Sequence, residues 1–129
     1  MTATTVSKLW LVDSSGWLEF VTDGAKADKF AAYLEPEEKV VVPTIVMYEV
    51  CKKLRVQLGS HGPDQFLSYA MRRRVVGLDE QTAIAAADIS LQHRLHMADA
   101  IIYSTSLRYR AELVTADSHF QAVPGVTII

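Results

Sequence analysis

Four acidic side chains stand where an alternating strand–helix chain can bring them together. They are Asp13 directly after LWLV, Glu49 after VVVPTIVMY, Asp99 in HRLHMADA and Asp117 after ELVTA. Each lies just past a predicted strand or in the first turns of the helix that follows. In an open α/β fold those positions converge at the carboxyl edge of the parallel sheet. Crowded carboxylates repel one another and resist ionisation unless a cation compensates. Sets of oxygen ligands suit a hard ion such as Mg²⁺ or Mn²⁺. The chemistry this points to is metal-dependent hydrolysis of a phosphodiester.

Taken singly, each acid also has a plainer role. Asp13, Asp99 and Asp117 can each cap a helix, and Glu49 can be an early-turn acid favoured by the helix dipole. Glu49 is the telling one, because Ile45, Val46, Val50 and Leu54 surround it in sequence. An acid beside a buried stripe needs a partner, and other carboxylates supply none without a cation. The local wording adds two supporting groups. Ser15, in VDSSGW, can hold a metal-bound water or orient Asp13, and Thr115, in LVTADSHF, can support the site.

The elements that must position these residues follow from the alternation of short β-branched runs with helical patterns, the sign of βαβ units and a parallel sheet. Strands are predicted at Leu9–Val12, Val40–Val42 (ended by Pro43), Val75–Leu78, Glu112–Thr115 and Val126–Ile128. A helical or loop segment is expected from Ser14, including Trp17, and helices over Ala25–Leu34, from a Thr44 cap to Leu58 before Gly59, from Gly62–Pro63 to Arg73, from an Asp79 cap to Leu91, and over Met97–Tyr109. A short turn is expected around Ser118–Gln121. There is no internal repeat or Gly/Ser-rich linker, and right-handed crossovers would put helices on both faces of the sheet. The expectation is one α/β domain spanning residues 1–129, with a central parallel sheet of four to five strands flanked by helices.

Composition narrows the function classes. The chain has 129 residues, 50% of them hydrophobic and 22% charged, the balance of an ordinary globular protein. No apolar run approaches the ~20 residues that span a bilayer, so no membrane association is expected. MTATTVSK lacks the layout of a signal peptide and reads as a short frayed lead-in. The lone Cys51 rules out an intramolecular disulfide and fits a reducing cytosol, so a cytoplasmic location is expected. The net charge of −2 supplies no general surplus of cations for phosphates, so nucleic-acid contact must use local basic patches and bound metal. Two such clusters exist, Lys52, Lys53 and Arg55, and Arg72, Arg73 and Arg74; the plain reading of both is solvated helix surface.

In order and spacing, the strand-end acid with its following hydroxyl (VDSS), the helical Glu49, the ADA-type helix start (MADAIIYSTSL) and the LVT-x-D-x-x-F ending together resemble the PIN-domain nucleases. The closest resemblance is to the VapC-type toxins of toxin–antitoxin pairs, and it runs from Leu9 to Ile128. That resemblance implies a PIN-like fold and a metal-dependent endoribonuclease that cleaves single-stranded or looped RNA with Mg²⁺ or Mn²⁺. Asp13, Glu49, Asp99 and Asp117 correspond to the metal-binding and catalytic acids, with Ser15 and Thr115 as supporting positions. It also implies a VapB-type antitoxin whose C-terminal segment covers the groove, and a homodimer formed through helical surfaces. Apolar residues near Tyr48, Leu54 and Leu58, or around Phe66 and Tyr69, are candidates for such contacts unless they complete the core. The competing reading is a noncatalytic PIN-like module that binds protein or RNA.

Other constellations carry less. His93, His96 and Asp99 are three apart, as a zinc site on one helical face would need, but the predicted helix start near Met97 breaks that face. Ser14, Ser15 and His119 invite a hydrolase triad without the G-x-S-x-G elbow. There is no P-loop. A phosphoacceptor domain would need a lysine after a late strand, and no lysine follows Lys53. Cys51 lies on an apolar helix without an activating neighbour, so packing is its expected role.

Overall fold

Strand β1 (Leu9–Val12) becomes more enclosed toward its carboxyl end, where Leu11, Val12 and then Asp13 are buried. The computed structural model describes residues 8–129, so all of the expected N-terminal lead-in except Lys8 lies outside the described residues. After β1 come α1 (Ser14–Val21), α2 (Ala27–Leu34), β2 (Val41–Pro43), α3 (Thr44–Leu58), α4 (Asp64–Ala70) and β3 (Arg74–Val76). The chain continues through α5 (Glu80–His93), α6 (Met97–Arg108), β4 (Ala111–Thr115) and β5 (Val126–Ile128). Short 3₁₀ turns occupy Glu37–Lys39 and Ser118–Phe120.

All strand pairings are parallel. One ladder is β1-β4-β5 and the other β2-β3, and a parallel bridge between Trp10 and Val40 joins them into the order 3-2-1-4-5. The expected PIN-like α/β fold, a parallel sheet flanked by helices, is therefore present, its five strands held as two ladders. Strand order reverses at β1, because the next strand in sequence pairs on one side and β4 on the other. Open sheets place their sites outside the carboxyl ends at such a switch point, and Asp13 and Thr115 both sit there.

The strands that carry these ends are nearly continuous apolar runs, as parallel strands covered on both faces must be. Val41, Val42, Leu113 and Val114 have no solvent exposure. Against them pack Trp17, Phe30, Leu34, Leu54, Phe66 and Phe120, all fully buried, with Trp17 edge-on to Phe66 at a centroid distance of 5.2 Å. Val46, Val50 and Leu54, four residues apart, form the buried stripe of α3. Leu54 and Phe66 therefore belong to the core and not to a partner surface, whereas Tyr48 and Leu58 are about two-thirds exposed (62% and 65%) and Tyr69 is half-buried. Helix α6 is enclosed over most of its circumference despite its hydroxyls, which are satisfied within the fold: Ser104 donates to the Thr82 carbonyl at 2.9 Å and Tyr103 to that of Pro124 at 2.7 Å.

Three local expectations are corrected. Thr44 does not cap α3. Pro43, extended at ψ 142°, occupies the cap position, and Thr44 is already helical. Helix α4 ends at Ala70, not at Arg73, and β3 starts at Arg74 and stops at Val76, short of Leu78. For the helix end the reason is Arg73, which is buried and not solvated. Its Nε and Nη2 donate to the Leu34 carbonyl at 3.0 and 2.6 Å, its Nη1 donates to the Tyr69 carbonyl, and its guanidinium lies over Trp17. A guanidinium can fill two helix C-terminal carbonyls at once and stack on an aromatic face. The second basic cluster is thus partly structural, with Arg72 paired to Glu37 at 3.1 Å and Arg74 over Tyr109.

Candidate functional site

Asp13 follows β1 and caps α1, accepting from the Gly16 amide at 3.2 Å. Two hydroxyls complete its setting. Ser15 Oγ donates to Oδ1 at 2.6 Å, and Thr115 Oγ1 donates to Oδ2 at 2.6 Å from the end of β4. Each hydroxyl is itself held by a backbone amide of the segment leaving β4, Ala116 N on Ser15 at 3.1 Å and Asp117 N on Thr115 at 2.9 Å. A hydroxyl has one proton, and here both protons are committed to Asp13. A carboxylate offers about four acceptor sites; three are filled, leaving one on Oδ2. Burial pushes the Asp13 carboxyl above its ordinary range, against the pull of these hydrogen bonds, and the Asp117 charge adds to the rise.

Glu49 lies on α3, three residues after the buried Val46, and is half-buried. Its Oε1 is enclosed and has no hydrogen-bond partner. Burial raises this carboxyl, the Ser14 hydroxyl opposes the rise, and the charges of Asp99 and Asp13 add to it. Asp99 occupies the first turn of α6 and is raised by burial and by Asp117, with His119 and His96 opposing. Asp117 caps the turn after β4, accepting from the His119 amide at 2.9 Å.

Of the four acids anticipated from the sequence, Asp99 and Asp117 offer ligand atoms within 4.8 Å of one another; Asp13 and Glu49 are linked to them through their charges, and Ser15 and Thr115 hold Asp13. The capping role and the clustering coexist for Asp13 and Asp117. Asp99 is no cap, because His96 holds that position. Carboxylates that feel one another's charge, with one enclosed oxygen lacking any donor, have the chemistry of a donor set for a hard cation. The buried, orphaned Glu49 Oε1 is the observation that makes the set fit.

His119, which the sequence suggests only for a triad, is a further neighbour of the acids. Its ring and the carboxylates of Asp99 and Asp117 offer ligand atoms within 4.8 Å of one another, and its Nδ1 lies 3.2 Å from Asp117 Oδ1. The signal lay in the D-x-H spacing, since the amide bond from His119 to Asp117 folds the ring back on the acid. Ser15 donates to Asp13 rather than to a histidine, so a hydrolase triad is not formed. Among the described residues, His93 and His96 join no metal-binding group; His93 instead stands edge-on to Tyr103. Cys51 is half-buried, and burial raises its thiol, in keeping with a packing role.

Comparison with known proteins bears on the fold and the family. The family model of the PIN domain matches residues 10–126. No curated protein matches the sequence. Among solved structures, a toxin–antitoxin complex from Klebsiella pneumoniae is 21% identical with a TM-score of 0.75, over 92% of this chain and 95% of that one. A DNA-bound VapBC from Salmonella typhimurium is 14% identical with a TM-score of 0.77, over 95% and 98%. VapC20 of Mycobacterium tuberculosis, a Sarcin-Ricin loop cleaving toxin, is 17% identical with a TM-score of 0.74, over 92% and 97%. The fold is shared at low identity, and the family match spans nearly the whole chain: this protein belongs to the PIN-domain family.

Proposed function

We propose that the chain is a metal-dependent endoribonuclease, the toxin of a VapBC-type pair, in which Asp13, Glu49, Asp99 and Asp117 hold Mg²⁺ or Mn²⁺ and Ser15 and Thr115 support them. The observation that supports this reading is an enclosed Glu49 oxygen with no donor of its own, on a carboxylate that feels the charges of Asp13 and Asp99, beside the Asp99–Asp117–His119 group. When bound, such a cation supplies a water of lowered pKa and neutralises charge on phosphate oxygens. Ser15 and Thr115 keep Asp13 aimed, and with their protons committed neither serves as a nucleophile. His119 stands at the rim, beside Asp99 and Asp117. In this reading residues 1–129 act as one nuclease domain in the cytoplasm, with no membrane role; no helix among the described residues is long and apolar enough to cross a bilayer.

Looped or single-stranded RNA is the proposed substrate, supported by the likeness to a loop-cleaving toxin. The likeness to VapBC complexes supports a VapB-type antitoxin, and assembly as a homodimer is part of the same proposal. The test is RNA cleavage by the purified chain across a titration of Mg²⁺ and Mn²⁺. Cleavage should require the metal, and Asp99→Asn should lower it by about a hundredfold or more, the scale of losing one charge-stabilising group. In the same variant the metal-free melting temperature should hold or rise, while the gain conferred by metal shrinks. A chain that binds RNA but never cuts it would be the noncatalytic module instead.

A further inference from the structure

Beside the acidic centre runs a groove of about 500 Å³ between α1 and α3, walled by Ser14, Ser15 and Leu18 on one side and by Tyr48, Lys52 and Val56 on the other. Its volume is in the range of sites that enclose a small ligand. Glu49 lines it too, so it opens directly onto the cluster. Helical spacing explains its make-up. Lys52 and Lys53 follow Glu49 by three and four residues and so lie one turn along the same side of α3. Tyr48 exposes 62% of its surface, and Lys52 Nζ rests 5.8 Å from its ring centroid.

We propose that this groove holds one unpaired nucleotide flanking the cleaved phosphate, its base stacked on Tyr48 and its backbone phosphate against Lys52 and Lys53. The proposal rests on the nuclease reading above and names the part of the substrate that reading leaves open. Three features favour RNA over a polypeptide here. An exposed aromatic face suits any unpaired base. Two lysines, in a chain of net charge −2, stand where a phosphate would otherwise face only acids. The α1 wall is made of small or aliphatic side chains, Ser14, Ser15 and Leu18, so a flat ring can lie between it and Tyr48. A duplex cannot enter in this way, because its paired bases offer no free face.

The experiment measures binding of a short labelled RNA to the full chain carrying Asp99→Asn, in Mg²⁺, over a series of salt concentrations. Tyr48→Ala should weaken single-stranded binding about tenfold or more, with little change in salt slope, and Tyr48→Phe should restore it. Replacing Lys52 and Lys53 by Ala should instead flatten the salt slope, by about 0.7 for each phosphate no longer neutralised. All these side chains are exposed, and circular dichroism checks that the variants fold. Single-stranded affinity and slope unchanged in both variants would overturn the groove assignment, and so would equal losses for duplex RNA. A polypeptide partner that loses its grip on the variants while RNA keeps its own would give the groove to protein and overturn it equally. These results leave the nuclease reading intact, because that reading fails only if the unaltered chain cuts no RNA with metal present.

Discussion

The Thr115 hydroxyl accepts from the Asp117 amide and donates to Asp13 Oδ2, so one side chain ties the last acid of the chain to the first. Thr115 is fully buried, and water cannot replace either bond. Thr115→Val keeps the shape and removes both bonds at once. It should cost about 1–3 kcal/mol of stability, the penalty for stranding buried polar groups, and denaturant unfolding measures it. Thr115→Ser should recover most of the loss. If Val is tolerated without cost, the hydroxyl does not hold Asp13 in the way described.

Among the elements, α1 depends on the absence of a side chain at Gly16. A Cβ there would stand 2.6 Å from Phe30 Cε1 and closer still to Val12 Cγ1, so α1 could not sit on β1 and α2 as it does. Gly16→Ala should destabilise by about 1–3 kcal/mol, as overpacking does. Because the Gly16 amide also caps onto Asp13, metal-dependent protection of the fold should weaken with it, and a melting series in Mn²⁺ reads both effects.

Elements are also what the sequence displays most clearly. β1 and β5 stand where their apolar runs end, α3 stops before Gly59 at φ 90°, and Asp79 caps α5 by accepting from the Thr82 amide at 2.8 Å. Those features depend on neighbours in the chain. The role of Arg73 was hidden because its acceptor, the Leu34 carbonyl, lies 39 residues away. The positions of Asp13 and Asp117 were legible because each follows a strand end, whereas Asp99 follows α5 rather than a strand, and the Glu49–Lys53 groove was hidden because it needs α1 and α3 set side by side.

For the molecule as a whole, the acidic cluster makes stability depend on pH and metal together. Asp13, Glu49 and Asp99 all have folded-state pKa values raised above their unfolded ones, chiefly by burial. The folded chain therefore holds protons that the unfolded chain has released, and ∂ΔG/∂pH is negative. Their stabilisation is full below the unfolded values, about 4, and is lost as pH climbs through the raised ones. Metal-free protein should accordingly melt at falling temperatures as pH rises from about 4 toward neutrality, and Mn²⁺ should lift the neutral-pH end most. Melting curves with and without chelator test this, and a metal-free midpoint that climbs over that interval would contradict the raised values.

Asp13 finds its second hydroxyl 102 residues further on, at the end of a strand that must first pair with β1. Contacts so distant in sequence form late, since closing a long loop precedes any reward from it. A folding chain therefore carries Asp13 and Glu49 without the framework that organises them until β4 has emerged and paired with β1. For a catalyst of the proposed kind, hydrolytic competence waits on the closing of that ladder, which builds a delay between translation and harm.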